Sequence, residues 1–358
     1  GVRLLRGRAA LEHVRPAWQE LEDSNDSPAF QRVAWAESWL EHFGTRGELW
    51  LVVTGDPVDG ILPLHCVRRR GVTTLRIVGD GISDYLGPIC ASVDAASRLG
   101  AALDDVASRV DVLILRGVNP ADPLTAAMLD AMTRYRFARL YERCPAIDTS
   151  AGWDAFVATR QGSWRSRLKR TRRRMEKRGE LSVGVEPPSE ALFDELCEVE
   201  RASWKWNHGF AFVRDPVFRE FLRDLVVKSL VPFEIWVCRL DGALVAFALI
   251  FELQRGLQYY WPTYREDTSG SGLYLLADIV RSCCDRRLPE FDFLQGDESY
   301  KLDWMTHEHR SDEIVVPGRG MRGRVVPLFI RLRWWLAGSA RLKEWRRRAL
   351  VAWRRARH

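Results

Sequence analysis

The stretch from Tyr259 to Trp304 gathers residue types that chemistry can use. The apolar run Gly256–Tyr264 leads to Ser269-Gly270-Ser271-Gly272-Leu273, and a helix-periodic segment follows to about Asp285. A short run, Phe291–Leu294, then precedes Gly296-Asp297-Glu298-Ser299-Tyr300-Lys301. A glycine-rich turn opening a helix presents unpaired backbone N–H groups at the positive end of the helix dipole. Glycines also let an anion come close, so a pyrophosphate is the ligand such a turn suits; a plain tight turn is the alternative.

A second set of candidates lies upstream. Arg165, Lys169 and Arg173 recur at helical spacing and could reach donor phosphates, an anionic acceptor or an RNA backbone; a solvated helix face is the plainer reading. Trp204, Trp206 and His208, with Tyr260 on the later apolar run, are candidates for an acceptor pocket between the two halves of the chain, although aromatic residues at a helix end also serve as core. His307-x-His309 would supply half a metal site, but no third ligand is spaced near it, so no metal is expected. The absence of a GxSxG elbow, a Walker loop or a Cys/His nucleophile pattern argues against hydrolases and kinases.

The elements that must position these groups can be read from patterning. Helical stretches are expected near Arg15–Glu22 and Trp35–Phe43, followed by strands at Glu48–Val53, Ile61–Val67 and Thr73–Val78. The second half repeats the unit. Strands at Phe233–Leu240 and Ala243–Leu253 flank Asp241-Gly242, a strong hairpin signal, and Gly256–Tyr264 follows. The repetition implies duplication. Between the halves a basic helix runs to Arg178 and stops at Gly179, with Trp164, Leu168, Thr171 and Met175 on its packing face. A strand at Leu181–Glu186 and helices over Ser189–Trp206 and Pro216–Ser229 come next. The expected architecture is α/β (α+β): two tandem domains, 1–150 and 151–317, each a mixed, largely antiparallel sheet flanked by helices. A basic tail, 318–358, is helical from Pro327 with a break at Gly338-Ser339.

Composition bounds the reading further. The chain has 358 residues, 46% of them apolar, enough to build cores without staples. Its seven cysteines contain no CxxC pair, which argues against a disulfide framework and for a reducing compartment. No apolar run reaches membrane-spanning length and no signal-type segment opens the chain, so a cytoplasmic protein is expected. Opening on Gly1 suggests that some native N-terminal residues are lacking. The net charge of +6 hides segregation: 160–178 carries +9 and 318–358 carries +12, leaving the other 298 residues at −15. An anionic partner is implied, whether phosphorylated donor, RNA or lipid surface. In the tail, Leu342, Trp345, Ala349 and Trp353 share a helix face opposite arginines, a pattern for peripheral membrane contact or terminal packing.

Six segments carry a resemblance. They are SWRSRLKRTRRRMEKRGELSV (163–183), RASWKWNHG (201–209), LDGALVAFALIF (240–251), GLYLLADIVRSCCDRRLPEFDFLQGDESYKLDW (272–304) and, in the first half, PAFQRVAWAESWLEHFG (28–44) and ILPLHCVRRRGVTTLRIVGDGISDYLGPI (61–89). In this order they resemble the CelD-type acetyltransferases of the GNAT superfamily, relatives of the FemAB/FemX peptidyltransferases. The resemblance covers essentially the whole chain and implies a degenerate first GNAT-like domain beside a catalytic second one. It implies transfer of an acyl group from acyl-CoA, such as acetyl-CoA, to an amino group of a small-molecule or saccharide acceptor. The donor pyrophosphate would sit at Ser269 to Leu273. Asp297 or Glu298 would be the base, Tyr300 the acid and Lys301 a charge stabiliser. Arg265 precedes Gly270 by five residues where the superfamily's usual motif has three, which leaves the donor open. The alternatives are a FemX-like, aminoacyl-tRNA-dependent transferase and a non-catalytic membrane-peripheral scaffold.

Overall fold

Residues 1–338 are described by a computed structural model, the backbone alone for 336–338. The tail face from Leu342 to Trp353 lies outside the described residues.

The first half runs β1 (Val2–Arg6), α1 (Arg8–Ser24), α2 (Val33–His42), β2 (Glu48–Gly55), β3 (Val58–Arg69), β4 (Val72–Ile77), β5 (Ile89–Cys90), α3 (Val93–Ser108), β6 (Val112–Val118), α4 (Pro123–Ala131) and β7 (Phe137–Asp148). Helices α5 (Trp153–Thr159) and α6 (Gly162–Glu176) lead into the second half. There the order recurs: β8 (Leu181–Glu186), α7 (Glu190–Arg201), α8 (Trp204–His208), α9 (Pro216–Val227), β9 (Phe233–Leu240), β10 (Ala243–Leu253), β11 (Gly256–Tyr264), α10 (Ser271–Asp285), β12 (Glu290–Asp292), α11 (Ser299–Trp304) and β13 (His307–Pro317). Helix α12 (Gly320–Gly338) follows, starting before Pro327, which it contains.

The thirteen strands form one sheet, ordered β1-β2-β3-β4-β6-β13-β7-β12-β11-β10-β9-β8, with β5 paired to β3. In each half the first four strands pair antiparallel, and the fourth pairs parallel with the fifth: β4 with β6, and β11 with β12. The last strands are exchanged. β7 of the first half pairs with β12 of the second, β13 of the second pairs with β6 of the first, and the two exchanged strands pair with each other. Sheet hydrogen bonding therefore crosses the midline of the molecule.

Local sequence explains the joints. Asp241 and Gly242 both have positive φ (50° and 81°), the geometry of a tight hairpin between β9 and β10. The helix expected over Ser189–Trp206 breaks after Arg201, where the Ser203 hydroxyl donates to the Glu200 carbonyl at 2.8 Å, and α8 starts afresh. One core joins the first half to α7, α9 and one face of the second-half strands, with Trp18, Trp35, Phe221 and Phe247 fully buried. A second packs α6 and α10 on the other face. All seven cysteines are free thiols. No helix among the described residues is long and apolar enough to cross a membrane.

Candidate active site

Strand β11 is bonded to β12 only over Gly256–Gln258, although β11 continues to Tyr264. Past Asp292 the chain turns to β7 instead, with Phe293 N–H donating to Pro145 O and Gly296 N–H to Arg143 O. The two strands part, and Tyr260, the extra residue where the β10–β11 register slips, bulges at the opening. A cavity of about 1030 Å³ fills the wedge. Its walls come from both halves: Asp80–Asp84 and Arg116 from the first, and Trp204, Lys205, Tyr259–Tyr264, the start of α10, Gln295 and Glu298–Lys301 from the second.

The first turn of α10 supplies one end. Gly270 caps it at φ 108°, and the Tyr274 N–H makes the first intrahelical bond, to the Gly270 carbonyl. The amides of Ser271, Gly272 and Leu273 thus lack helical acceptors. Gly270, Gly272 and Leu273 line the cavity, whereas Ser271 is fully buried and the Ser269 carbonyl accepts from Arg174 at 3.0 Å. The glycines serve close packing within the protein. A Cβ on Gly270 would stand 2.7 Å from the Arg174 guanidinium, and one on Gly272 would stand 2.6 Å from the Tyr264 ring.

The basic helix faces elsewhere than expected. Arg165, Lys169 and Arg173 line a separate groove of about 360 Å³ with Trp153, Arg172 and Arg281. At 100° per residue, Arg167 falls on a different face from Arg165 and Lys169. Arg167 is the one that reaches the cavity, held by Asp303 at 2.8 Å. Likewise Trp206 lies beneath the Arg214 guanidinium, and exposed His208 bonds the Trp204 carbonyl, so neither lines the cavity. Trp204 and Tyr260 do, and the Tyr260 hydroxyl donates to Ile82 O at 3.2 Å across the two halves.

Of the acidic and basic cluster, Glu298, Tyr300 and Lys301 line the cavity and Asp297 does not. Lys301 is buried; its Nζ donates to Gln295 O at 2.6 Å and pairs with Glu298 at 3.0 Å. Tyr300 keeps 37% of its surface open. Loss of water around the phenol, then Tyr259, Glu298 and Tyr264, nevertheless push it well above its ordinary pKa, so it holds its proton at neutrality.

Two further groups were not singled out by the sequence. Lys205, on α8 between the two tryptophans, donates to Pro262 O at 2.6 Å and Thr263 Oγ1 at 3.0 Å and lies over the Trp261 ring. Burial lowers it to about 8 against the pull of Glu200 and Glu298, with Lys301 lowering it further. Asp84, in the loop after β4, is raised to about 7 by burial; Lys301 and a backbone hydrogen bond from Gln295 oppose the shift, and Asp292 and Glu298 add to it. Glu200, fully buried, is occupied by the Trp261 indole N–H and the Thr263 and Ser203 hydroxyls. Arg116 is clamped between Asp80 at 3.0 Å and Glu313 at 2.9 Å and covers Tyr141. A carboxyl and an amine poised near neutrality beside a buried cation suit proton transfer and stabilisation of an oxyanion.

The expectation that His307 and His309 lack a third ligand is corrected. Both ring Nε2 atoms meet Glu290 Oε2, seventeen residues from His307 in sequence but two strands away in the sheet.

Residues 162–302 match the family model of the acetyltransferase (GNAT) domain. No curated protein matches the sequence as a relative. Solved structures that share the fold include the following three. One is the C-terminal domain of a protein from Agrobacterium fabrum described as a lysylphosphatidylglycerol synthetase (14% identity, TM-score 0.57, covering 85% of this chain and 92% of that one). The second is L-PGS from Bacillus licheniformis (13%, 0.55, 93% and 97%). The third is FemX (11%, 0.58, 84% and 95%). The domain match, 162–302, contains the parted strands and the α10 turn, so this segment is similar to a GNAT acetyltransferase domain, and it lies within a fold that the three solved structures share across both halves.

Proposed function

We propose that the central cavity transfers an acyl group from acyl-CoA, acetyl-CoA in the simplest case, to an amino group of a small-molecule or saccharide acceptor. The observation that carries this reading is that Asp84, at about 7, and Lys205, at about 8, both line one cavity that also receives the α10 N-terminus. In this reading the donor phosphates lie against the amides of Gly272 and Leu273, with Arg167 at hand. Asp84 takes over the base role first assigned to Asp297 or Glu298, since Asp297 is outside the cavity and Glu298 is engaged by Lys301. Asp84 accepts a proton from the attacking amine, Lys301 and Lys205 offset the oxyanion's charge, and Tyr300 protonates the leaving thiolate.

A second reading is favoured by the groove of Arg165, Lys169, Arg172, Arg173 and Arg281, whose only acidic member is Glu176. It would hold a polyanion's backbone, as an aminoacyl-tRNA donor requires. The naming of one fold relative as a lysylphosphatidylglycerol synthetase agrees with aminoacyl transfer.

Calorimetry with acetyl-CoA, longer acyl-CoAs and aminoacyl-tRNA separates them. Gly272→Arg would be a poor probe, because it strikes the Tyr264 ring whatever the ligand. Leu273→Asp is better: an acid in a first helical turn suits the dipole but repels phosphates. Saturable acyl-CoA binding that Leu273→Asp weakens at least tenfold supports the first reading. Binding of charged tRNA alone, lost on charge reversal at Arg165 and Lys169, replaces it with the second.

A further inference from the structure

We infer that Glu290, His307 and His309 form a binding site for a divalent transition-metal ion, with zinc as the best-matched occupant. His307 and His309 alternate along β13 and therefore share a face of the sheet. Their partners on β7 are Ala146 and Cys144, and Ala146 is also the partner of Asp292, two residues after Glu290 on β12. All of these side chains stand on one face. Ala146, carrying only a methyl group, leaves room above β7 for Glu290 and the two imidazoles to meet. Meet they do: Glu290 Oε2 is 2.9 Å from His307 Nε2 and 2.8 Å from His309 Nε2, and the rings lie 5.2 Å apart at 89°.

Two imidazoles converging on one carboxylate oxygen form a donor set of net charge −1, matched to a divalent ion that takes nitrogen and oxygen ligands. Opening the Nε2–Oε2 distances by roughly 0.5 Å, a side-chain adjustment, would admit an ion at ordinary bond lengths of about 2.0–2.2 Å. His307 Nδ1 lies 3.0 Å from Thr306 Oγ1, the kind of outer contact that fixes a ligating ring and leaves its other nitrogen for the metal. The site is partly open, with His307, His309 and Glu290 side chains 39%, 32% and 24% exposed. Glu290 and His309 border a groove of about 380 Å³ that also holds Asp292 and Arg255, so the remaining coordination positions face space for water.

Position gives the ion a structural consequence. Glu290 opens the fifth strand of the second half, while the two histidines lie on the strand that crosses into the first. A metal here would fasten the strand exchange.

The full chain, stripped with EDTA, is titrated with Zn²⁺ by calorimetry and with Co²⁺ by visible absorption. One equivalent is expected, with a rise in melting temperature and a Co²⁺ spectrum free of the charge-transfer absorption that thiolate ligands produce. Glu290→Gln and His307→Ala/His309→Ala should lose it at least a hundredfold while keeping the circular dichroism of the metal-free chain. No stoichiometric binding, binding unchanged in both variants, or a thiolate signature from the free cysteines would overturn the assignment, and the Co²⁺ spectrum of the unaltered chain decides even if a variant fails to fold.

Discussion

Two side chains in the central cavity are displaced toward neutrality from opposite directions, and that fixes how the proposed acyl transfer should respond to pH. Asp84 must lose its proton to act as a base, so the rate should climb as pH passes about 7. Lys205 must keep its proton to offset an oxyanion, so the rate should fall above about 8. The expected kcat profile is a narrow bell, its acid limb set by Asp84 and its alkaline limb by Lys205. Asp84→Asn should lower kcat by about 10²–10⁴-fold and remove the acid limb, and Lys205→Met should remove the alkaline one. Stability supplies an independent reading. Because Asp84 titrates higher in the folded chain than unfolded, its contribution is present in full below about 4 and is lost as pH rises through about 7. At pH 8 Asp84→Asn should therefore be more stable than the parent, by about 1–3 kcal/mol in urea melts. An Asp84→Asn variant that is less stable at pH 8 but fully active would mean that the carboxylate is structural.

At the scale of elements, the site depends on how closely β11 and β12 start together before they part. Gly256 opens β11, and a Cβ there would stand 2.1 Å from the Glu290 carbonyl oxygen, a backbone atom that cannot swing aside. Gly256→Ala should push the strands apart at their only bonded segment and cost about 1–3 kcal/mol of stability. Its loss of acyl transfer should exceed that of an equally destabilising change in α1, such as Leu11→Ala; equal losses would show that the wedge geometry does not matter.

The same elements show what was legible beforehand. Strands β8 to β11 could be read because apolar runs are bounded by Gly179, Pro187-Pro188, Asp241-Gly242 and Arg255-Gly256, each a local stop signal. The α10 turn and the 296–301 cluster lie within this readable stretch. Helix α3, strands β6 and β7 and strand β13 escaped notice. β7 alternates charges such as Arg139, Glu142 and Arg143 among its apolar residues, and β13 opens His-Glu-His-Arg; their strand character comes from pairing with each other, which no local pattern records. Asp84 and Arg116 were missed for the same reason. They become site residues only when the first half is folded against the second. For Arg165, Lys169 and Arg173 the periodicity was right but its phase was unknown, and Arg167 is the side chain turned to the cavity.

For the whole molecule, the exchange of β7 and β13 makes the two halves mutually dependent. Alone, 1–150 would leave β6 without β13 and β7 without either neighbour, two unpaired edges in the middle of what should be a continuous sheet. Alone, 151–338 would strand β13 in the same way. The Arg116–Glu313 and Arg139–Glu313 pairs add to the coupling, because Glu313 is buried on β13 and both arginines come from the first half. A buried carboxylate deprived of such partners is strongly destabilising. Neither fragment should therefore be a stable monomer, whereas co-expressed fragments should assemble one to one and recover acyl-CoA or charged-tRNA binding. The intact chain should unfold in a single transition, with fluorescence and circular dichroism coinciding. Two separated transitions, or a soluble 151–338 fragment that binds donor unaided, would place the working unit in the second half alone and leave Asp84 without a part in the reaction.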